Sequence, residues 1–246
     1  GEHLNDIWGL TTIGIAKSQE EMDAHLAKVD QSSVGTNWGV GDIMYADLDG
    51  DGKISNGTNK LGDTGDYRII GNSTPRFKYG ITLDAAWKGF DFSIFMQGIG
   101  KRDLWLDGCY FWGANGQGNE WQSTGFAEHW DFFRPEGDPL GANLNSYYPR
   151  VNFSGDRNTK VQTRYLQNGA YLRLKNVQLG YTLPRVWTEK AGISSVRVYV
   201  SGDNLATITS LSKIFDPEAT GSLAGTGSGK LYPLQRVISV GVNVNF

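Results

Sequence analysis

The chain has 246 residues, with 23 Lys and Arg against 26 Asp and Glu, which gives a net charge of −3. This balance gives no reason to expect a nucleic-acid partner, because phosphate binding needs clustered basic residues. The single cysteine, Cys109, excludes an intrachain disulfide and a cysteine-based zinc site. No apolar run approaches the ~18 residues of a transmembrane helix. The 33 glycines and 12% aromatic residues favour β structure with long irregular connections.

The N-terminal region predicts one short helix and no signal peptide. Residues 1–6 show no basic stretch followed by an apolar segment. They also lack an initiating Met, so this absence says little about the compartment. Residues 18–30 begin with a capping box, in which Ser18 accepts a backbone N–H bond and Glu21 reaches back. Apolar residues then recur at helical spacing, at Met22, Leu26 and Val29.

An acidic loop follows the helix and matches the first half of a calcium-binding loop. The twelfth position of such a loop should be acidic but holds Thr58, so a later carboxylate has to complete the site. The predicted ligands are Asp47, Asp49, Asp51 and the carbonyl of Lys53, completed by Asp63 or Asp66. We expect a structural Ca²⁺ here; the alternative is an Asp- and Gly-rich turn without metal.

From residue 76 apolar and polar residues alternate, as in a β-strand with two different faces. Over residues 76–88 the apolar positions are Phe77, Tyr79, Ile81, Leu83, Ala85 and Trp87. Lys88-Gly89 predicts a tight turn, and a second strand follows over residues 90–98. A third spans residues 171–183, with a phase slip near Lys175-Asn176 that predicts a bulge. Residues 196–203 and 238–246 are the fourth and fifth strands, and residues 8–15 are a further candidate with poor alternation.

The long connection over residues 100–169 is rich in aromatic residues. Its candidate ligand or partner contacts are Trp112, Trp121, Trp130 and Tyr147. Exposed rings could stack on sugars or pack against a partner protein. The favoured alternative is that they pack, either as the connection's own small core, because a long ordered loop needs apolar burial, or against the partner.

No motif in the chain predicts an enzyme. The histidines, His3, His25 and His129, have no partner at metal-binding spacing, and Glu128-His129 is more typical of a surface pair than of a catalytic dyad. The chain has no P-loop, GxSxG or HExxH motif.

The alternation is compatible with a soluble β-sandwich, whose apolar faces turn inward, and with an outer-membrane barrel, whose apolar face meets lipid. Short and long connections alternate, and the segments have about the 9–11 residues that cross a bilayer at a tilt, which favours the barrel. Aromatic residues predicted at the membrane interface are Trp87, Phe90, Tyr181 and Phe246. The face suited to a watery lumen carries Lys78, Asp84, Asp91, Gln97, Arg197 and Asp203. Five strands cannot close a barrel, for which about eight is the minimum, so the chain would be one section of a larger sheet.

The C-terminal residues Phe246, Val244 and Val242 share one face of the last strand. An apolar terminal strand can pair by edge addition with an assembly machine. The alternative is that Phe246 only anchors the strand at the membrane interface.

A series of short blocks in fixed order carries a resemblance to a known family. The blocks are Gly41-Asp42-Ile43, residues 47–54, residues 70–77, Gly89-Phe90-Asp91, Tyr148-Pro149-Arg150, residues 171–176, residues 180–184, residues 200–205 and residues 232–236. Over nearly its whole length, the chain resembles the C-terminal part of a SusC/RagA-like TonB-linked outer-membrane transporter of Bacteroidetes.

The resemblance implies an all-β fold, in which antiparallel strands form the C-terminal section of a 22-stranded outer-membrane barrel with long extracellular loops. Residues 1–75 would be an extracellular loop region with the helix and the calcium-type loop. Residues 76–246 would supply about five strands, with long loops at 100–169 and 205–233.

The implied partners are a SusD-like surface lipoprotein, the TonB complex acting through an N-terminal part absent here, outer-membrane lipid and the barrel assembly machinery. The implied function is import of glycans or peptides. The alternatives are a secreted calcium-containing β-sandwich module that binds glycans and, in a third class, part of a glycosidase.

Overall fold

The computed structural model describes residues 3–60, 62–116, 118, 125–219 and 232–246. The strands are β1 Asp6–Gly9, β2 Thr12–Ile15, β3 Ile43–Tyr45, β4 Arg68–Asn72, β5 Arg76–Trp87, β6 Phe90–Lys101, β7 Asp103–Leu104, β8 Gln167–Asn168, β9 Tyr171–Thr182, β10 Ser195–Thr209 and β11 Val237–Asn245. The α-helices are α1 Gln19–Leu26, α2 Cys109–Trp112 and α3 Arg185–Thr188, and 3₁₀ turns lie at Ala127–Trp130, Thr163–Tyr165 and Glu189–Ala191. Within the described ranges, no helix is long and apolar enough to cross a bilayer.

The chain divides into two compact units. The described residues of the first are 3–74 and 103–167, and those of the second are 75–102, 168–219 and 232–246. Most of the connection predicted at 100–169 therefore groups with the N-terminal region.

The second unit contains a five-stranded antiparallel sheet in the order β11-β10-β9-β6-β5. The predicted antiparallel fold and its five strands are confirmed. The tight turn at Lys88-Gly89 is also present: these residues have φ values of 47° and 88°, the positive angles that a two-residue hairpin requires. β10 is longer than predicted, because an irregularity between Asp203 and Ala206 hides the continuing strand from its alternation pattern.

The predicted bulge lies in β9. Phe95 of β6 pairs with Asn176, and the next residue, Met96, pairs with Leu174, so Lys175 is the extra residue. A bulge shifts the side-chain phase by one position. Leu174 and Val177 therefore lie on the same face although they are three positions apart in the sequence.

The register gives the sheet one apolar and one polar face, because directly opposed residues point to the same side. Two neighbouring apolar rows are Leu83, Ile94, Val177, Gly202, Ile238 and Ala85, Phe92, Leu179, Val200, Val240. The row between them on the other face is Asp84, Ser93, Gln178, Ser201, Ser239. The same registers place all six predicted lumen residues on the polar face.

The first unit contains short strands and irregular connections. β1 pairs with β4 and β2 pairs with β3, both antiparallel. The candidate strand over residues 8–15 is thus wrong as a single element: it is split between β1 and β2 and does not join the five-stranded sheet. The split falls at Leu10, which is fully buried and donates its N–H to the Val161 carbonyl at 2.8 Å.

Helix α1 begins as predicted and ends earlier. The Ser18 hydroxyl accepts the N–H of Glu21 at 3.2 Å, and the Glu21 carboxylate accepts the N–H of Lys17 at 2.6 Å, one residue before the expected donor. Met22 is fully buried and packs in a cluster with Ala16 and Met44. The helix ends at Leu26, so Val29 lies outside it.

Candidate functional sites and related proteins

The acidic loop brings three of the predicted metal ligands together. Asp47, Asp49 and Asp66 each place one carboxylate oxygen so that all three atoms lie within 4.8 Å of one another. Oxygen ligands at the 2.3–2.6 Å preferred by Ca²⁺ can span such a triangle. Asp66 is fully buried, and its two oxygens accept the N–H groups of Leu48 at 2.6 Å and Ser55 at 2.8 Å.

The other predicted ligands are used differently. Asp51 accepts the N–H of Lys53 at 2.8 Å, and Asp63 accepts the N–H of Thr58 at 3.0 Å and its hydroxyl at 2.6 Å. Of the two candidates for the completing carboxylate, Asp66 is therefore the one beside Asp47 and Asp49. The backbone of Lys53 forms a parallel β-bridge with Asp30.

The carboxylates of this loop have opposite pKa shifts. The N–H groups of Gly52 and Gly50 hold the pKa of Asp47 below its usual value. The N–H of Asp51 lowers the pKa of Asp49, but desolvation and the neighbouring carboxylates together raise it more, so it lies above its usual value. Mutual repulsion of this kind is relieved by a proton or by a bound cation.

A second polar cluster centres on Asp42, which is fully buried. Arg150 donates to Asp42 through Nε at 2.7 Å and through its terminal nitrogen at 2.6 Å. Asn158 Nδ2 donates at 2.8 Å, the Gly39 N–H at 3.0 Å, and Arg157 Nε lies 3.3 Å away. Two blocks of the resemblance, Gly41-Asp42-Ile43 and Tyr148-Pro149-Arg150, thus form one ion-pair centre. Sequence reasoning named these residues but not their contact.

The aromatic residues of the first unit form a packed cluster. Phe111, Trp112 and Tyr165 are buried, and the rings of Trp112 and Tyr165 lie 4.7 Å apart. The rings of Tyr147 and Tyr165 lie 5.4 Å apart. Trp130 is different: it is 61% exposed, with the Arg134 guanidinium 5.6 Å from its ring centre. Trp121 lies outside the described residues.

His129 has a structural position within this cluster. Its Nδ1 accepts the N–H of Phe126 at 3.1 Å, and its Nε2 lies 3.0 Å from the Tyr110 carbonyl oxygen. This geometry corresponds to a neutral ring that donates from Nε2. The ring therefore joins Phe126 to the Tyr110 carbonyl of helix α2, and both of its nitrogens are engaged in these backbone contacts.

The apolar face of the sheet is open. Ile81, Leu83 and Val242, which a sandwich would seal in its interior, are 43%, 56% and 58% exposed. The predicted interface aromatics lie where the strands meet the short turns. Trp87 pairs with Phe90, which pairs with Tyr181, and the rings of Phe90 and Tyr181 lie 4.5 Å apart. Phe246 follows directly after β11 and is 90% exposed.

Among the described residues, β5 and β11 each pair with only one neighbour in this sheet. One antiparallel sheet with an exposed apolar face, a polar face and two unpaired edges defines the class: a section of an outer-membrane β-barrel.

No family model matches the chain. The TonB-dependent receptor P3 of Formosa agariphila is 33% identical over 216 residues, which are 84% of this chain and 19% of the relative. The TonB-dependent receptor P26 of the same bacterium is 30% identical, over 100% of this chain and 23% of the relative.

Solved structures agree with these relatives. The RagAB peptide transporter matches with a TM-score of 0.62 and 25% identity, over 98% of this chain and 23% of that chain. The RagAB peptide importer in its open-open state matches in fold with a TM-score of 0.63, over 98% and 22%. The chain is a section of a SusC/RagA-like TonB-dependent transporter, a class of outer-membrane protein. It spans about a fifth of the length of the curated relatives it matches.

Proposed function

We propose that this chain forms part of the wall of a closed, 22-stranded TonB-dependent importer of glycans or peptides. The observation that carries the proposal is the open apolar face that crosses all five strands. In water this surface would be a liability, since soluble monomers rarely expose large contiguous apolar patches. Against acyl chains it is stable, and the polar face opposite then lines the lumen.

The proposal includes partners that act on the whole transporter. A SusD-like lipoprotein would capture substrate at the cell surface, and TonB would act through an N-terminal part outside this chain. The names of the related proteins support this: the two relatives are called TonB-dependent receptors, and the solved structures are called a peptide importer and a peptide transporter. We propose no catalytic residue for this chain, and the names of the related proteins, receptors and a peptide importer, are consistent with that.

The test is uptake by cells that carry the full-length transporter as their only copy. Labelled oligosaccharides and labelled peptides are supplied separately, with and without TonB. We expect accumulation of one substrate class that disappears when TonB is deleted or the proton gradient is collapsed. Uptake of neither class, or uptake that is independent of TonB, would contradict the proposal.

A second experiment distinguishes the barrel from the glycan-binding module. The chain is expressed alone in water and analysed by size-exclusion chromatography. A barrel section needs detergent or its missing strands, because its apolar face and two strand edges are exposed. A monodisperse, water-soluble monomer would favour the sandwich. Hydrolysis of any member of a broad glycan panel would favour the third class, a glycosidase.

For the acidic loop we propose a structural Ca²⁺ held by Asp47, Asp49 and Asp66. The buried position of Asp66 and the raised pKa of Asp49 support this role. The test is calcium content of the purified full-length transporter after chelation and controlled re-addition. Asp66→Asn should remove one bound ion, whereas the matched Asp63→Asn should retain it. Equal calcium content in wild type and Asp66→Asn would refute the site.

We propose that the exposed Trp130 contacts a partner lipoprotein or ligand, while the buried Trp112 and the packed Tyr147 support the connection from within. Trp130→Ala should weaken partner co-purification or substrate binding without changing the amount of transporter in the membrane. Trp112→Ala should lower that amount, because it opens a large cavity in the aromatic cluster. Unchanged binding in Trp130→Ala would refute the contact.

We also propose that Phe246, with Val244 and Val242 on the same face, is recognised by the barrel assembly machinery. Phe246 is exposed and ends an edge strand, which leaves it accessible for strand addition. Deletion of Phe246 should reduce the folded transporter in the outer membrane. Unchanged membrane levels would leave Phe246 with the anchoring role alone.

A further inference from the structure

The connection from β10 to β11 turns back over the polar face of the sheet. We call residues 210–219 the inward segment. Leu211 and Phe215 of this segment are buried, at 4% and 8% exposure. The segment packs against the sheet as a fixed element, although the sequence suggested only a long outer loop.

Arg173 of β9 anchors the inward segment. Its side chain is only 4% exposed, and each of its three nitrogens has a partner. Nε donates to the Thr207 hydroxyl at 2.8 Å, and the two terminal nitrogens donate to Asp216 at 2.8 Å and to Glu218 at 2.9 Å. The first bond stays within the sheet, and the other two tie the segment to it.

Two further strand residues contact the Glu218 carboxylate. Lys175 Nζ lies 3.0 Å from Glu218, and the Tyr171 hydroxyl lies 3.2 Å from it. Asp216 also accepts the N–H of Leu234 at 3.1 Å, so residues on the far side of the connection are held as well. Two cations face two carboxylates in a largely buried cluster. Burial protects such pairs from screening by salt, and loss of one partner leaves the others as uncompensated charges.

The inward segment does not fill all the space over the polar face. A cavity of about 640 Å³ lies beside it, lined in part by Arg173, Thr207, Leu211, Phe215, Pro217 and Pro233. Arg173 belongs to the polar row that also contains Gly80, Gln97 and Thr207. This row lies toward the start of β9, and the Lys88-Gly89 turn is at the opposite end of the sheet.

We propose that the inward segment is a fixed constriction of the substrate pathway and that Arg173 is the positioning residue that holds it. The inference rests on the proposed function, in which the polar face lines the lumen. A segment that projects from the wall reduces the open cross-section. Because buried ion pairs hold it on the strands, it remains in place as solutes pass and contributes to the size limit of the pathway.

The test compares two arginines of the polar face in the full-length transporter. Arg173→Met removes the charge that holds the segment. Arg197→Met is the matched control, because Arg197 pairs with Asp91 between strands, with Nε 2.9 Å from Oδ1, near the turn end of the sheet. Trypsin added to intact cells reports release of the segment through cleavage after Lys213, whose side chain is exposed. Entry of vancomycin into cells that contain TonB, in which the proposed function expects the pathway to open, reports the open cross-section.

We expect Arg173→Met to be cleaved after Lys213 at least tenfold faster than wild type and to admit vancomycin faster, with Arg197→Met unchanged in both. Unchanged cleavage would show that Arg173 is not the anchor, and faster cleavage without faster entry would show that the segment does not constrict the pathway. If Arg173→Met fails to assemble, Glu218→Gln is used with the same criteria, because it removes the two ion pairs of Glu218, with Arg173 and with Lys175, and keeps the side-chain shape. The proposed function is judged separately by TonB-dependent uptake in wild type, so its failure is distinguishable from failure of the constriction.

Discussion

Replacing the buried Asp42 by Asn should loosen the first unit more than removal of any exposed charge there. The substitution keeps the side-chain volume and removes the negative charge that Arg150 and Arg157 share. Breaking a buried ion pair in this way costs about 3–5 kcal/mol, because the remaining charges are left without a partner. The Arg150 side chain is 33% exposed and can turn toward water, whereas that of Arg157 is 10% exposed. We therefore expect the lower end, about 3 kcal/mol, which is roughly 150-fold in an opening equilibrium at 1.36 kcal/mol per decade.

Hydrogen–deuterium exchange of the full-length transporter in detergent measures this opening. The reporter is the Ile43 N–H, which donates at 3.0 Å to Asn158 Oδ1, and Asn158 is itself held by Asp42 at 2.8 Å. The Gly39 N–H donates directly to Asp42 and should respond in the same way. Exchange in both amides should accelerate by about two orders of magnitude, in line with a loss of about 3 kcal/mol.

Asp156→Asn is the control in the same unit. It removes an exposed ion pair to Lys160, with side chains 68% and 27% exposed and a distance of 2.7 Å. Such a pair contributes roughly 0–1 kcal/mol, so exchange near Ile43 should be nearly unchanged. If Asp42→Asn and Asp156→Asn differ by less than about tenfold, the Asp42 cluster does not organise the unit and the reasoning from burial is wrong.

Three further predictions concern the sheet and the acidic loop. A Cβ at Gly180 would lie 2.5 Å from Asp91 Oδ1 and 2.6 Å from Arg197 Nε. Gly180→Val should therefore displace this cross-strand ion pair and lower the temperature at which the barrel unfolds in gel-shift assays. An unchanged unfolding temperature would refute the need for glycine beside this pair. Val200→Lys on the apolar face should lower the free energy of barrel unfolding by about 2–4 kcal/mol, whereas Ser201→Lys on the polar face should change it little. Urea unfolding in lipid vesicles measures both variants, and equal effects would contradict the assignment of the two faces. Because the pKa of Asp49 is raised and that of Asp47 is lowered, Asp49 binds a proton before Asp47 as the pH falls, and Ca²⁺ affinity should decline on acidification. Calorimetry that finds constant affinity from pH 7 to pH 4 would exclude Asp49 as a ligand.

Several elements were predictable because their pattern is local. Each strand of the sheet carries its two-residue period within its own segment, and Lys88-Gly89 marks the hairpin turn. The phase slip at Lys175 was visible as well, since a bulge displaces only the residues beside it. Residues 8–15 alternate poorly because they hold parts of two short strands with different partners, and the prediction of one strand there was wrong.

The acidic loop shows how far spacing reaches. The Asp47 and Asp49 positions follow from a short motif, so local spacing identified them. The choice between Asp63 and Asp66 depended on how the chain returns. Asp66 is drawn into the loop by the N–H groups of Leu48 and Ser55, whereas Asp63 is used by Thr58.

By itself, the sequence determined the β character of this protein, the two-faced strands and the family to which they belong, because side-chain alternation and short motifs are properties of contiguous residues. The tertiary structure alone decided which distant charges meet. Asp42 pairs with Arg150, which is 108 residues away in the sequence, and Arg173 pairs with Asp216, which is 43 residues away. The residues around each partner do not indicate which charge it will meet. An ion pair depends on which parts of the chain come together in the fold, and on which charged groups are buried there away from water.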